Sequence, residues 1–278
     1  MHIESRKRPL AGARQRPPPG ALFVDHVSHF VADLDEAAAV FESLGFRVTP
    51  VSAQRTPEGA VGAANRCVML EGGYIELLSP THDTPAARRM RALMDRYAGV
   101  HLVCFGTPDA EGEHRRLAAH GFSPQPVVSL EREVGDGKAK FKVVRATPEK
   151  MPEGRIQFVE QLTPELLWRE DVNAFALDEV FVAADDPAAA AARWSEFAGL
   201  LPRPFGNTVR LEAERGAIVL GPTPAALAAP AIAGYSLACP DRHAMAARCS
   251  RLGLAVRETG GRHAVSLPPS LGGTLVFG

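Results

Sequence analysis

Two histidines and two glutamates stand where this sequence can do chemistry. His26 and Glu76 lie 50 residues apart (76 − 26), and His101 and Glu160 lie 59 apart (160 − 101). Each pair spans a stretch of similar layout: His101 answers His26, Phe105 answers Phe30, and Gly121-Phe122 answers Gly45-Phe46. At the exits, YIELLSP over 74–80 lines up with FVEQLTP over 158–164, which sets Glu160 opposite Glu76. Two imidazoles and two carboxylates at one point would make a divalent-metal site. Mixed nitrogen and oxygen ligation suits Zn, Ni, Mn, Co or Fe, and the ligand set alone does not choose among them. A six-coordinate ion would keep two neighbouring positions for substrate oxygens or water. His26, His101 and one glutamate alone would make the facial arrangement that binds Fe(II) and leaves room for dioxygen.

The elements that must position these groups follow from pattern. Over 23–31, alternation places Val24, His26, Ser28 and Phe30 on one strand face and Val27, His29 and Val31 on the other, so His29 reads as structural. Residues 33–35 supply turn and N-cap chemistry, and 36–44 form an alanine-rich helix that Gly45 stops. Strands are expected over 46–53, 65–70 and 74–78, with 54–63 as a loop that shapes specificity, giving a βαβββ unit. The crossover returns the chain so that the fourth strand can lie beside the first, placing His26 and Glu76 on one concave face.

A helix over 85–98, capped by Thr84, carries an apolar stripe of Met90, Leu93, Met94 and Tyr97 and joins the second unit. That unit has a strand over 100–105, a helix over 109–120 and strands over 127–133, 140–145 and 155–162. Two further units follow, with helices over 187–200 and 241–252, but they are degenerate: the His26 position falls near Glu179 or Val180 and that of Glu76 on Ile218. The expected fold is α+β, four tandem βαβββ modules forming cupped mixed sheets with flanking helices. Residues 1–20 read as a flexible basic tail, 21–170 as a first domain (modules 21–98 and 99–170) and 171–278 as a degenerate second (modules 176–224 and 231–278).

Composition sets bounds on partners. Lys plus Arg is 31 against 32 for Asp plus Glu, so no overall attraction to nucleic acid or an anionic membrane is expected. No apolar run reaches the roughly 20 residues of a bilayer span and the first residues lack a secretory core, which points to the cytoplasm. The four cysteines, without CxxC spacing, read as buried free thiols. A small-molecule substrate is the expected partner, and a monomer or homodimer fits.

Other residues near the four carry a binding reading beside a plain one. Asn65 and Arg66 can position a substrate anion, although alternation lets only one of them face a cavity easily. Tyr74 shares a strand face with Glu76 and can line the pocket or simply fill the core. Lys138, Lys140 and Lys142 read as a solvated face, and Thr163 to Trp168 as a capped helical turn with a packed indole.

The paired modules, the strand VDHVSHFVADLD, the segment GAANRCVMLEGGYIELL and the later FVEQLTPELLW resemble the glyoxalase-like branch of the vicinal oxygen chelate superfamily. The resemblance implies two modules cupped around a divalent ion, with the order His26, Glu76, His101, Glu160 resembling the ligand order of glyoxalase I. It implies a metal-dependent lyase, isomerase or epimerase in which the ion polarises a carbonyl and Glu160 or Glu76 is the base. Two other readings share the plan: an Fe(II) extradiol-type dioxygenase, and a non-catalytic protein that binds small molecules or drugs.

Overall fold

The structure, a computed structural model, describes residues 22–168, 172–224, 227 and 230–278; the tail expected over 1–20 lies outside them. The first unit runs β1 (Phe23–Phe30), α1 (Leu34–Ser43), β2 (Ser52–Thr56), β3 (Gly59–Gly72) and β4 (Tyr74–Pro80). Helix α2 (Pro85–Met94) leads to the second: β5 (Val100–Gly106), α3 (Ala110–Ala119), β6 (Val128–Val134), β7 (Gly137–Arg145) and β8 (Arg155–Gln161). After the short α4 (Pro164–Leu167) come β9 (Asn173–Ala184), α5 (Pro187–Ala198), β10 (Pro202–Phe205), β11 (Thr208–Glu212) and β12 (Ala217–Pro222). The fourth unit is β13 (Ala231–Ala238), α6 (Arg242–Arg251), β14 (Val256–Thr259), β15 (Arg262–Ser266) and β16 (Thr274–Phe277).

Each unit starts its helix on an aspartate. Asp33, Asp109, Asp186 and Asp241 accept hydrogen bonds from amides two or three residues on, satisfying donors that an α-helix leaves open. Losing such a cap costs about 1 kcal/mol.

The first two units close on themselves. Strands join in the order β1-β4-β3-β2-β6-β7-β8-β5 and return to β1, with Arg55 on β2 meeting Glu131 on β6 at the closing seam. The last two units use the corresponding strands, β10-β11-β12-β9-β13-β16-β15-β14, but β10 and β14 do not meet, so this half-barrel stays open. Prolines at 202 and 204 lie in edge strand β10, and proline lacks the N–H that a further strand would need.

The helices pack outside, and the two halves interlock there. Phe41 of α1 is fully buried, and Trp194 and Phe197 of α5 rest on Phe105 and Phe158 of the closed barrel. His29 points outward from β1 and bonds Tyr235 Oη and the Leu271 carbonyl, both at 3.2 Å, with Phe41 edge-on beside it. Burial drives its pKa down to about 4. The structural reading of His29 and the buried position of Cys67, Cys104 and Cys249 agree with the sequence; Cys239 is partly exposed.

Three expectations need correction. The stretch 54–63 is not a loop: β2 and β3 form a hairpin there, because Pro57 and Glu58 make a tight turn and the flanking residues pair. Thr163 does not cap α4, since its hydroxyl accepts from the Lys140 amide instead. In the third unit Glu76 corresponds to Val219 rather than Ile218, because Phe181 and Val219 pair as Ser28 and Glu76 do.

Candidate functional site

The interior of the closed barrel holds a polar chamber. Alternation along β1 sends His26, Ser28 and Phe30 inward, and the parallel pairing of β1 with β4 sets His26 beside Tyr74 and Ser28 beside Glu76. Asp25, at a register shift between β1 and β5, holds His26 Nδ1 at 2.6 Å. The other ring nitrogen lies 3.9 Å from Glu76 Oε2, and the imidazole stacks on Tyr74 with centroids 4.3 Å apart. Burial by itself lowers the imidazole pKa, but the Cys104 sulfur and the Asp25 carboxylate outweigh it and hold His26 well above 6.5.

Glu76 accepts three hydrogen bonds. It receives Ser28 Oγ at 2.5 Å, Asn65 Nδ2 at 2.6 Å and Gln54 Nε2 at 3.1 Å. Asn65 therefore faces inward. Tyr74 also lines the chamber, with Trp168 edge-on behind it at 5.9 Å, and burial raises its phenol pKa well above 10. Arg66 faces the other way: its guanidinium binds the Thr49 carbonyl, Asp35 and Glu42 on the outer surface beside α1. Its substrate-binding role does not fit that position.

His101 and Glu160 do not reach the chamber. The His101 ring is stacked between Phe30 and Tyr97, its Nε2 donates to the Tyr97 carbonyl at 2.8 Å, and its Nδ1 accepts from the Phe30 amide at 3.2 Å. Both nitrogens are committed, and burial lowers the pKa to about 4. Glu160 lies on the outer face of β8 and accepts from the Ala110 amide at the start of α3, 3.1 Å away.

The cause is a slip of register, by one residue for His101 (102 − 101) and by three for Glu160 (160 − 157). His26 and His101 are 75 apart (101 − 26), but the helix caps Asp33 and Asp109 are 76 apart (109 − 33), as are Gly45 and Gly121 (121 − 45). Pairing agrees with the caps: Ser28 faces Glu76 as Cys104 faces Gln157. The counterparts of His26 and Glu76 are thus Leu102 and Gln157. On a strand, a shift of one turns every side chain to the opposite face.

The chamber has about 30 Å³ of free space, enough for a water molecule or two. It abuts a much larger cavity of about 620 Å³ at the barrel mouth, and Gln54, Leu130, Arg145 and Arg155 line both. Helix α2 roofs this cavity, with Ala87 and Met90 buried and Leu93 partly so. The roof is tied to the wall at one end: Thr84 Oγ1 accepts from the Ala87 amide at 3.1 Å and donates to the Val61 carbonyl at 2.7 Å. Gly62, in the left-handed region at φ 82°, makes room for that contact, because a Cβ there would strike the Thr84 side chain.

The profile of the glyoxalase-like domain matches residues 24–198, well over half of the chain and through the end of α5. The chain belongs to the glyoxalase-like domain family. No curated protein is similar enough in sequence to count as a relative. Solved structures share the fold at low identity. A hypothetical protein from Staphylococcus aureus superposes with a TM-score of 0.66 at 14% identity, covering 92% of this chain and 98% of that one. The Mn(II)-bound glyoxalase from Novosphingobium aromaticivorans gives 0.59 at 11%, covering 92% and 81%, and a catechol 2,3-dioxygenase gives 0.56 at 11%, covering 93% and 87%. These likenesses place this glyoxalase-like protein in the vicinal oxygen chelate fold.

A divalent ion of the kind the family implies does not fit the residues present. Of the four register-equivalent positions, Leu102 has no donor atom, and the Gln157 carbonyl already accepts from Arg145 Nε at 2.9 Å. Glu76 has three donors on it, and Arg132, Arg145 and Arg155 line the same chamber, adding positive charge where a cation would sit. Among the described residues no three His, Cys, Asp or Glu side chains group as ligands.

Proposed function

We propose that this glyoxalase-like protein binds a small organic molecule in the cavity under α2. The observation that carries this reading is the cavity itself: about 620 Å³, within the usual range of roughly 300–1,000 Å³ for ligand sites, with a mainly aliphatic wall and a few polar groups. Leu93, on the roof, offers the test. Leu93→Trp fills the space without touching the inner chamber. Compounds that raise the melting temperature of the wild type should lose that effect in the variant. Hits that persist unchanged in Leu93→Trp would rule the cavity out.

A second reading rests on the 3.9 Å approach of His26 to Glu76. A buried acid–base pair backed by Asp25 can move a proton on an oxygenated substrate, the elementary step of an isomerase, epimerase or lyase. The metal-dependent form of that chemistry, and the Fe(II) dioxygenase, call for donors where Leu102 and Gln157 stand. The test is deuterium uptake from solvent water into a bound compound. Uptake lost in His26→Gln supports proton transfer; a tightly bound compound with acidic C–H groups that gains no deuterium leaves a binding protein alone.

A further inference from the structure

We propose that the molecule taken up under α2 is an organic oxyanion, a carboxylate or phosphate carried on an apolar body; this rests on reading the cavity as a ligand site. Four arginines line the cavity, Arg89, Arg96, Arg145 and Arg155, and none of the lining residues is Asp or Glu. Arg96 is occupied, donating to the carbonyls of Pro152 and Pro230 at 3.0 and 2.9 Å. The others have donors to spare. Arg145 uses Nε on Gln157, and its two terminal nitrogens have no hydrogen bond among the described residues. Arg155 makes no hydrogen bond or ion pair among the described residues and lies over the Phe30 ring, 4.9 Å from its centroid. Arg89 reaches the same space from the roof helix, likewise without a carboxylate partner.

Three guanidinium groups are thus gathered without a free counter-charge. Burial, then repulsion from Arg145 and Arg89, pushes the Arg155 pKa down to about 9; burial, with Arg89 adding to it, pushes Arg145 to about 10. Glu76 is the carboxylate that offsets both, and it already accepts from Ser28, Asn65 and Gln54 and bonds to none of the three arginines. An incoming oxyanion would supply the missing charge, and a guanidinium fork suits its geometry. The rest of the wall decides what carries it. Val61, Met90, Leu93, Val128, Leu130 and Met151 offer an apolar surface with no role for further charge.

Isothermal titration of the full chain with 2-naphthoate, 2-naphthyl phosphate, uncharged 2-naphthamide and inorganic phosphate tests this. At least one naphthyl anion should bind about tenfold or more tightly than naphthamide, the difference expected of one charge-assisted contact. Inorganic phosphate, lacking the body, should bind far more weakly. Arg155→Gln and Arg145→Gln should erase the preference for the anion while leaving naphthamide binding in place. Which anion binds better separates carboxylate from phosphate. Equal binding of naphthamide and both anions by the wild type would overturn the oxyanion and leave the cavity reading standing; no binding by any naphthyl probe would overturn both. The wild-type comparison decides the matter even if an arginine variant misfolds.

Discussion

In the open half-barrel, Glu179 stands at the position that His26 holds in the closed barrel, and arginines reach it from both sides. Arg210 of β11 pairs with one oxygen, Arg262 of β15 with the other at 2.6 Å, and Ser236 adds a hydrogen bond at 3.3 Å. The closed barrel holds its arginines differently. Its chamber carboxylate Glu76 is bonded by neutral side chains, and Arg155 and Arg89 have no ion pair among the described residues. Two halves of the same architecture therefore treat charge in opposite ways. Where the arginines are neutralised from within, the site is internally complete; where they are not, room for about 620 Å³ of something else lies beside them.

The largest effect should come where the halves meet. Trp194, fully buried against Phe105, should cost about 3–5 kcal/mol when replaced by Ala, and urea unfolding of the variant should remain one transition because both halves share that core. Two separated transitions would mean that the halves fold apart, and the comparison would then be between independent bodies. Next comes Glu179→Ala. It removes the carboxylate that Arg210 and Arg262 share, leaving Arg210 to Glu212 and Arg262 to Asp178 at 3.9 Å, and since both are partly solvated the expected loss is about 2–3 kcal/mol by chemical denaturation. A loss under about 0.5 kcal/mol would show that this cluster is as unsupported as the one in the barrel.

Acidification offers a measure of similar size. His29 and His101 are neutral when folded, with pKa values near 4 against 6.5 when unfolded, so the unfolded state binds more protons in between. Their contribution is present above about pH 6.5 and is lost as pH falls towards 4, by roughly 2–3 kcal/mol for each histidine. His26 has the opposite sign: its raised pKa stabilises the fold below 6.5 and stops doing so as pH rises through the folded value. The slope of stability against pH between 4 and 6.5 should be halved in His101→Gln. An unchanged slope would show that His101 is not held neutral. The smallest change is expected from Arg155→Met. With no carboxylate to orphan, stability should move by no more than about 1 kcal/mol in either direction, as read from thermal unfolding. A fall as large as that of Glu179→Ala would reveal a partner for Arg155 and erase the contrast.

The fold was legible because its signals are local. Aspartate caps, stopping glycines and the Gly72-Gly73 turn mark the units without reference to anything distant, and Gly73, at φ 83°, makes its turn as expected. Only part of the site was. His26, Glu76, Asn65 and Tyr74 converge because three adjacent strands of one unit, β1, β4 and β3, carry them in a register that alternation specifies. His101 and Glu160 were drawn in by residue type, while the more reliable ruler, the spacing between caps, already gave 76 rather than 75 (109 − 33). The exit alignment failed for a related reason: Thr163-Pro164 opens α4, whereas Ser79-Pro80 ends a strand. The cavity arginines carry a weaker signal: Arg155 shares strand parity with Gln157 and Val159, and a charge on a face of buried residues is the one mark of it.

The roof over the cavity is pinned to the barrel at both ends. One hydroxyl fastens the first turn of the roof to the wall, and just past the far end Arg96 donates to the carbonyls of Pro152 and Pro230 while Tyr97 Oη donates to those of Val100 and Glu153. Thr84 also lines the cavity, so a substitution at position 84 alters the first turn of α2 and the cavity wall at once.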